Sequence, residues 1–262
     1  MVGRSLLSAL AVMILLTIAV SPAWAITYGK LDGDGHPNVG IMVAELETPG
    51  VKEMICSGAL IAPTVYLTAA HCTGYLASLG ISDVWVSFDS EFIAGSTLIH
   101  GTMHTNPAFD QAQNDPGDIA VIVLDEPIVG VTPATLPRKG QFDRLERQGK
   151  LRGQRFTAVG YGSQERSNGG GPPTFGPTDT RMVAISTYRA LNPTWLRLSQ
   201  NPATGDGGTC YGDSGGPNLL GDSSLIAGLT VTGDTACRAT NVIYRLDTVS
   251  ARSFLVDFVP LP

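Results

Sequence analysis

The residues most able to do chemistry lie late in the chain, in the run Thr209-Cys210-Tyr211-Gly212-Asp213-Ser214-Gly215-Gly216-Pro217. A serine hydroxyl is a weak nucleophile and works only when a base within hydrogen-bond reach removes its proton. Here it sits among glycines, which lack a Cβ and so permit a tight turn and a close approach of substrate to backbone. Glycines also leave N–H groups bare, and such donors can hold the charge that develops on a carbonyl oxygen under attack. The base would be an imidazole, whose ordinary pKa of about 6.5 lets it take and return a proton near neutrality. The histidines are His36, His71, His100 and His104, and all of them precede Ser214.

Gly212, Ser214 and Gly216 fit the Gly-x-Ser-x-Gly elbow of α/β-hydrolases, but in that class the histidine follows the serine. With no histidine downstream, a triad on Ser214 runs histidine, aspartate, serine. Two stretches supply the other members. Thr68-Ala69-Ala70-His71-Cys72 follows an apolar strand, and Asp118 opens the apolar run Ile119-Ala120-Val121-Ile122-Val123-Leu124. Singly, each has a plainer reading: a core or metal-binding histidine, an aspartate capping a turn, a glycine-rich turn. In this order and together they resemble the three signatures of chymotrypsin-like serine proteases, the trypsin family. The chain is similar in particular to the family's secreted bacterial members, and the resemblance spans residues 26–262.

The resemblance implies an all-β fold of two six-stranded antiparallel β-barrels packed side by side with a C-terminal helix. The N-terminal barrel would cover about 26–136 and the C-terminal barrel about 153–262. It implies a serine endopeptidase working through an acyl-enzyme, with His71 as base, Asp118 orienting the imidazole, and Ser214 as nucleophile. The N–H groups of Gly212 and Ser214 would form the oxyanion hole. Gly208, Val231, Gly233 and Val242 would shape the primary substrate pocket. Trypsin-type members carry Asp at the place of Gly208, so its absence here implies apolar or small P1 residues; Asp206 stands close enough to return a charge through a loop shift. The family also uses a freshly cut N-terminus, whose ammonium pairs with the Asp before the serine; here those residues would be Ile26 and Asp213. Thr230-Val231-Thr232 resembles the strand along which substrate backbone lies. Where the family usually has a serine touching the catalytic Asp, this chain has Val231, which cannot donate a hydrogen bond. Thr232 and Tyr161 stand where many members carry Trp.

The elements that must hold these residues can be read more coarsely. Arg4, the apolar run Leu6 to Val20 and Ala23-Trp24-Ala25 read as a secretory signal peptide over residues 1–25. Cleavage after Ala25 would itself expose Ile26. The net charge is −6 and becomes about −7 once Arg4 is removed, a poor fit to nucleic acid or an anionic membrane. Cys56, Cys72, Cys210 and Cys237 are an even set behind a signal, which points to disulfides in an oxidising compartment. Of the three pairings four cysteines allow, sequence proximity favours Cys56–Cys72 and Cys210–Cys237, and the lack of a C-x-x-C pair argues against zinc.

Segments of β character recur at 39–44, 58–62, 65–69, 84–88, 119–124, 155–159, 182–185, 225–231 and 242–245, bounded by Gly, Pro, Asn or Asp. Such close spacing indicates an all-β sandwich or barrel. From Asp247 the apolar spacing turns helical. Residues 144–150 suggest a short charged helix or loop, 136–152 a crossing between domains, and 163–180 an exposed Gly- and Pro-rich loop. His100 and His104 read as a solvated loop rather than half a metal site, since Gly101 and Pro107 argue against a helix there. Expected partners are polypeptide substrates and protein protease inhibitors, with a secreted, monomeric chain and no cofactor or metal. The alternatives are a non-catalytic protease-like binding protein and a secreted esterase using the same triad.

Overall fold

The structure, a computed structural model, describes residues 26–165, 175–176 and 179–262. The signal-like segment and most of the Gly- and Pro-rich loop lie outside the described residues. Five strands follow the entry segment: β1 (Lys30–Leu31), β2 (Val39–Glu45), β3 (Lys52–Ala62), β4 (Val65–Thr68) and β5 (Val84–Ser87). Helix α1 (Ala70–Ser78) stands between β4 and β5, and β6 (Ile99–Thr105) and β7 (Ala120–Leu124) complete the first half. The second half begins with α2 (Gln141–Arg147), β8 (Arg155–Gly160) and a minimal ribbon of β9 (Gln164–Glu165) with β10 (Phe175–Gly176). Then come β11 (Met182–Leu191), β12 (Trp195–Ser199), β13 (Pro217–Leu220), β14 (Ile226–Gly233), β15 (Thr240–Arg245) and α3 (Val249–Leu255).

The first six-stranded barrel closes in the order β2-β3-β4-β7-β6-β5. In the second, β8 pairs with both β11 and β13, which closes β11-β12-β15-β14-β13-β8 into a second barrel; β1 pairs with the start of β11, at Met182 and Val183. All of these pairings are antiparallel. Side chains alternate faces along a strand, so one strand can serve two cores. On β2, Met42 and Ala44 point into the first barrel with Leu60, Tyr66, Val84 and Ile122. Val39, Ile41 and Val43 point the other way, into a shared core with Val159, Tyr161 and Leu229 of the second barrel. That shared core brings the two halves face to face and makes the cleft between them. A separate cluster of Phe156, Leu196, Leu198 and Ile243 fills the second barrel. Phe254 and Leu255 of α3 join the shared core, and the Phe258 ring lies 5.2 Å from that of His104.

Several strands extend beyond the expected bounds, and β6, β12 and β13 were not foreseen. The stretch holding His100 and His104 is strand, not loop. Gly101 pairs with Val84 on one side and Leu124 on the other, and a Cβ there would meet Val123 O at 2.8 Å. The charged helix begins at Gln141, earlier than residue 144, because the Asp247 carboxylate accepts from Phe142 N at 2.8 Å and satisfies its first turn. The C-terminal helix is short, seven residues. Both disulfides form, Cys56–Cys72 and Cys210–Cys237. Each closes a loop worth on the order of 3 kcal/mol by chain entropy. Among the described residues no helix is long and apolar enough to cross a membrane.

Candidate active site

His71 enters the cleft on the first turn of α1, directly after β4. The helix has Ala69 at its N-cap and no side chain of its own to cap it. Asp118, distant in sequence, does this instead: Oδ1 accepts from the backbone N of His71 at 2.9 Å. Its other oxygen, Oδ2, lies 2.8 Å from His71 Nδ1. A carboxylate oxygen accepts, so Nδ1 carries the proton and Nε2 keeps its lone pair toward the cleft. One acid thus fixes both the helix start and the ring tautomer. Asp118 is 2 % exposed, and among the described residues both bonds to its carboxylate come from His71.

The turn that presents Asp118 is itself locked. Asn106 Nδ2 donates to Gly117 O at 2.9 Å, and Gly117 has φ +61°, with no room for a Cβ beside Asn106. Tyr244 of the second barrel donates its hydroxyl to Asp115 Oδ1 at 2.9 Å, which ties this turn across the cleft.

Ser214 is half-buried in the loop before β13. Gly215 N donates to Thr230 O at 2.8 Å and Gly216 N to Asp213 O at 2.8 Å. Gly215 has φ +76°, and a Cβ on it would meet Ala69 N at 2.8 Å, so the serine loop is packed onto the residues that lead to His71. Among the described residues no hydrogen bond joins the Ser214 hydroxyl to the His71 ring. The N–H groups of Gly212 and Ser214 likewise have no acceptor there, while those of Cys210, Asp213, Gly215 and Gly216 all do.

A cavity of about 240 Å³ opens beside Ser214, walled by Thr209, Cys210, Val231, Gly233, Asp234 and Cys237. Gly208 and Val242 are not among its lining residues. The space over Gly208 is taken by the buried Gln200, whose Nε2 reaches Asp234 Oδ1 at 3.4 Å. Asp206 does not face the cavity: it is held by Thr187 Oγ1 at 2.6 Å and Thr204 Oγ1 at 2.9 Å. Asp234 does, but its oxygens accept from its own loop, at Arg238, Ala239 and Thr240 N. Burial raises the Asp234 pKa, but these bonds outweigh it and leave the pKa lowered.

Asp213 is fully buried, and its carboxylate accepts from Gly162 N and Cys210 N, each at 2.8 Å. A Cβ on Gly160 or Gly162 would collide with it. Burial pushes its pKa up to about 7, against the lowering effect of the two backbone bonds. Ile26 is fully buried against Met182 and Ala184, and Gly208 N donates to Thr27 O at 3.0 Å. Cys56, Cys72 and His71 are close enough to suggest a metal cluster, but both thiols are consumed in the disulfide.

Asn106, Gly160, Gly162, Gln200 and Tyr244 escaped the sequence reading. The turn pair Asn106-Pro107 was a usable signal; the others act through contacts far apart in sequence.

Two antiparallel barrels with a histidine–aspartate pair and a glycine-bound serine between them define a chymotrypsin-like arrangement. A family model for trypsin matches residues 37–252, and the chain belongs to the trypsin family of serine proteases. It is 28 % identical to tonin of Rattus norvegicus over 205 residues, covering 71 % of this chain and 73 % of that one. It is 29 % identical to kallikrein 1-related peptidase b8 of Mus musculus over 206 residues, 71 % and 72 % of the two chains. It is also 28 % identical to glucanase inhibitor protein 1 of Phytophthora sojae over 191 residues, 68 % and 66 %.

Proposed function

We propose that the chain is a secreted serine endopeptidase that cleaves polypeptides with Ser214 as nucleophile, His71 as general base and Asp118 as the group that orients it. The observation that carries this reading is the two-point bond between Asp118 and His71, which leaves Nε2 as the acceptor on the cleft side. In the reaction the Ser214 hydroxyl oxygen bonds to the scissile carbonyl carbon as its proton passes to Nε2. The C–N bond then breaks as Nε2 returns that proton to the leaving amine. Water, deprotonated by Nε2, attacks the acyl ester, and the acid product leaves as the proton returns to Ser214. The N–H groups of Gly212 and Ser214 hold the oxyanion at both stages.

The P1 preference is for apolar or small residues. Gly208 supplies no charge, Gln200 fills the space above it, and the nearby acids are engaged by their own surroundings. A panel of P1-varied peptides, run beside Ser214→Ala, tests this: cleavage after apolar or small residues is expected, and a strong preference for Arg would overturn the specificity. Val231 gives Asp118 no third hydrogen bond, so activity is expected below that of an otherwise equal site with a hydroxyl there.

Activation follows export, with the new Ile26 ammonium pairing with Asp213. The burial of Ile26 and the lack of a cation partner for Asp213 among the described residues support this. So does the backbone: Ile26 has φ +55°, costly for a β-branched residue, and cutting the preceding peptide bond removes that torsion. N-terminal sequencing of the secreted protein should begin at Ile26. The resemblance to secreted bacterial proteases belongs to this same proposal.

The likeness to a protein named as a glucanase inhibitor favours one second reading, a non-catalytic binding protein. The presence of His71, Asp118 and Ser214 together weighs against it. Comparing amide with ester substrates separates a protease from an esterase built on the same residues.

A further inference from the structure

Ser57 lies on β3 of the first barrel, fully buried, and touches the serine loop of the second barrel at two points. Its N–H donates to Ser214 O at 2.9 Å, and its hydroxyl donates to Gly212 O at 3.1 Å. The hydroxyl oxygen accepts from Tyr161 N at 3.0 Å, which fixes the direction in which its proton can point. Its carbonyl accepts from Thr68 Oγ1 at 2.9 Å, on the strand that leads to His71.

We propose that Ser57 is a positioning residue for the oxyanion donors, a role that rests on the proteolytic reading above. Gly212 sits at φ +92°, where glycine moves freely, so its flanking peptides have little intrinsic reason to keep one orientation. What keeps them is their carbonyls. Tyr211 O accepts from Ser163 N at 2.5 Å, Asp213 O from Gly216 N at 2.8 Å, and both Gly212 O and Ser214 O from Ser57. With all four carbonyls held, the N–H groups of Gly212 and Ser214 are the donors left over. A peptide flip at Gly212–Asp213 would break the Ser57 bond and also the Asp213 N bond to Cys210 O. Ser57 thus couples the candidate oxyanion-binding backbone of one barrel to β4 of the other, the strand that leads to His71.

The test is Ser57→Ala in a chain beginning at Ile26, since alanine keeps the Cβ and removes only the hydroxyl. The expected result is a fall in kcat of about tenfold, the effect of one hydrogen bond, with KM within about twofold. A peptide aldehyde, whose hemiacetal places an oxyanion in the site, should bind more weakly by the same factor. The same peptide as an uncleaved substrate should bind equally to Ser214→Ala and to Ser57→Ala/Ser214→Ala. Unchanged kcat and aldehyde affinity beside a lowered Tm would overturn the proposal and leave Ser57 a packing residue. A Ser57→Ala chain that fails to fold would overturn it as well, by making the hydroxyl a determinant of the fold. Failure of the unaltered chain to cleave any peptide would instead strike the proteolytic reading and is distinguishable from both.

Discussion

Asp32, in the N-terminal segment, and Asp213, beside Ser214 in the second barrel, are both acids with little access to water: the Asp32 side chain is 2 % exposed and the Asp213 residue 0 %. Their surroundings differ in one respect. Burial raises the pKa of Asp32, but the hydrogen bond and charge of His36 and the bond from Arg181 outweigh it and hold the pKa below the ordinary carboxylate value. Arg181 Nε donates to Asp32 Oδ2 at 2.9 Å and His36 Nδ1 lies 2.6 Å from Oδ1. Arg181 is itself 1 % exposed and also donates to Val39 O, Phe88 O, Gly33 O and the Tyr161 hydroxyl, which fastens the N-terminal segment and both barrels together. Asp213 has only backbone N–H donors among the described residues, and burial carries its pKa to about 7. The first acid has its counter-charge in the chain. The second, under the proposed activation, receives it when the chain is cut before Ile26. Under that proposal Asp32 is satisfied on folding, whereas Asp213 stays costly to ionise until the cut supplies its partner.

The contrast can be broken from either side. The largest effect is expected from Asp213→Asn in the chain beginning at Ile26: kcat/KM should fall by about 10²-fold or more as the oxyanion donors lose their order, while the chain stays folded by circular dichroism. Asp32→Asn should do the reverse. It leaves Arg181 buried without its counter-charge, at a cost of about 3–5 kcal/mol, read as a lowered Tm, with kcat of the folded fraction unchanged.

The next effect is in pH. In a chain extended before Ile26, with Ser214→Ala to prevent cleavage, folded Asp213 keeps a proton that the unfolded chain loses above the ordinary value of 3.8. Stability should therefore fall as pH rises from about 4 to 7, by on the order of 4 kcal/mol if the whole shift is expressed. The chain beginning at Ile26 should not show this fall, because the ammonium stabilises the ionised form. Denaturant titrations across that window decide, and identical pH profiles would rule out activation through Asp213. The smallest effect is expected from His36→Gln, which removes one partner of an acid still held by Arg181; a loss of about 1 kcal/mol and unaltered turnover are expected.

The candidate catalytic residues were legible because each sits in a short contiguous run whose residue types carry the chemistry. The barrel fold was legible through apolar strands at close spacing and through the resemblance. What could not be read has a common cause. Helix α1 has no side-chain cap of its own, and Asp118 caps it from the turn before β7, far away in sequence. Strand β6 reads as a loop because Gly101 and Pro107 argue against a helix around His100 and His104, yet His100 is held there by Asp125 at 2.7 Å and packs edge-on to Trp85. Ser57, Gln200 and Arg181 owe their roles entirely to partners on other elements. A buried arginine in particular has no signature in a sequence where most arginines are exposed.

The proposed chemistry stands or falls on whether His71 makes Ser214 nucleophilic. The decisive experiment treats the chain that begins at Ile26 with a phosphonate or sulfonyl fluoride and maps the adduct by mass spectrometry. One adduct is expected, on Ser214, and none in His71→Ala at the same exposure. A folded chain beginning at Ile26 that takes up no label at Ser214 would contradict this assignment.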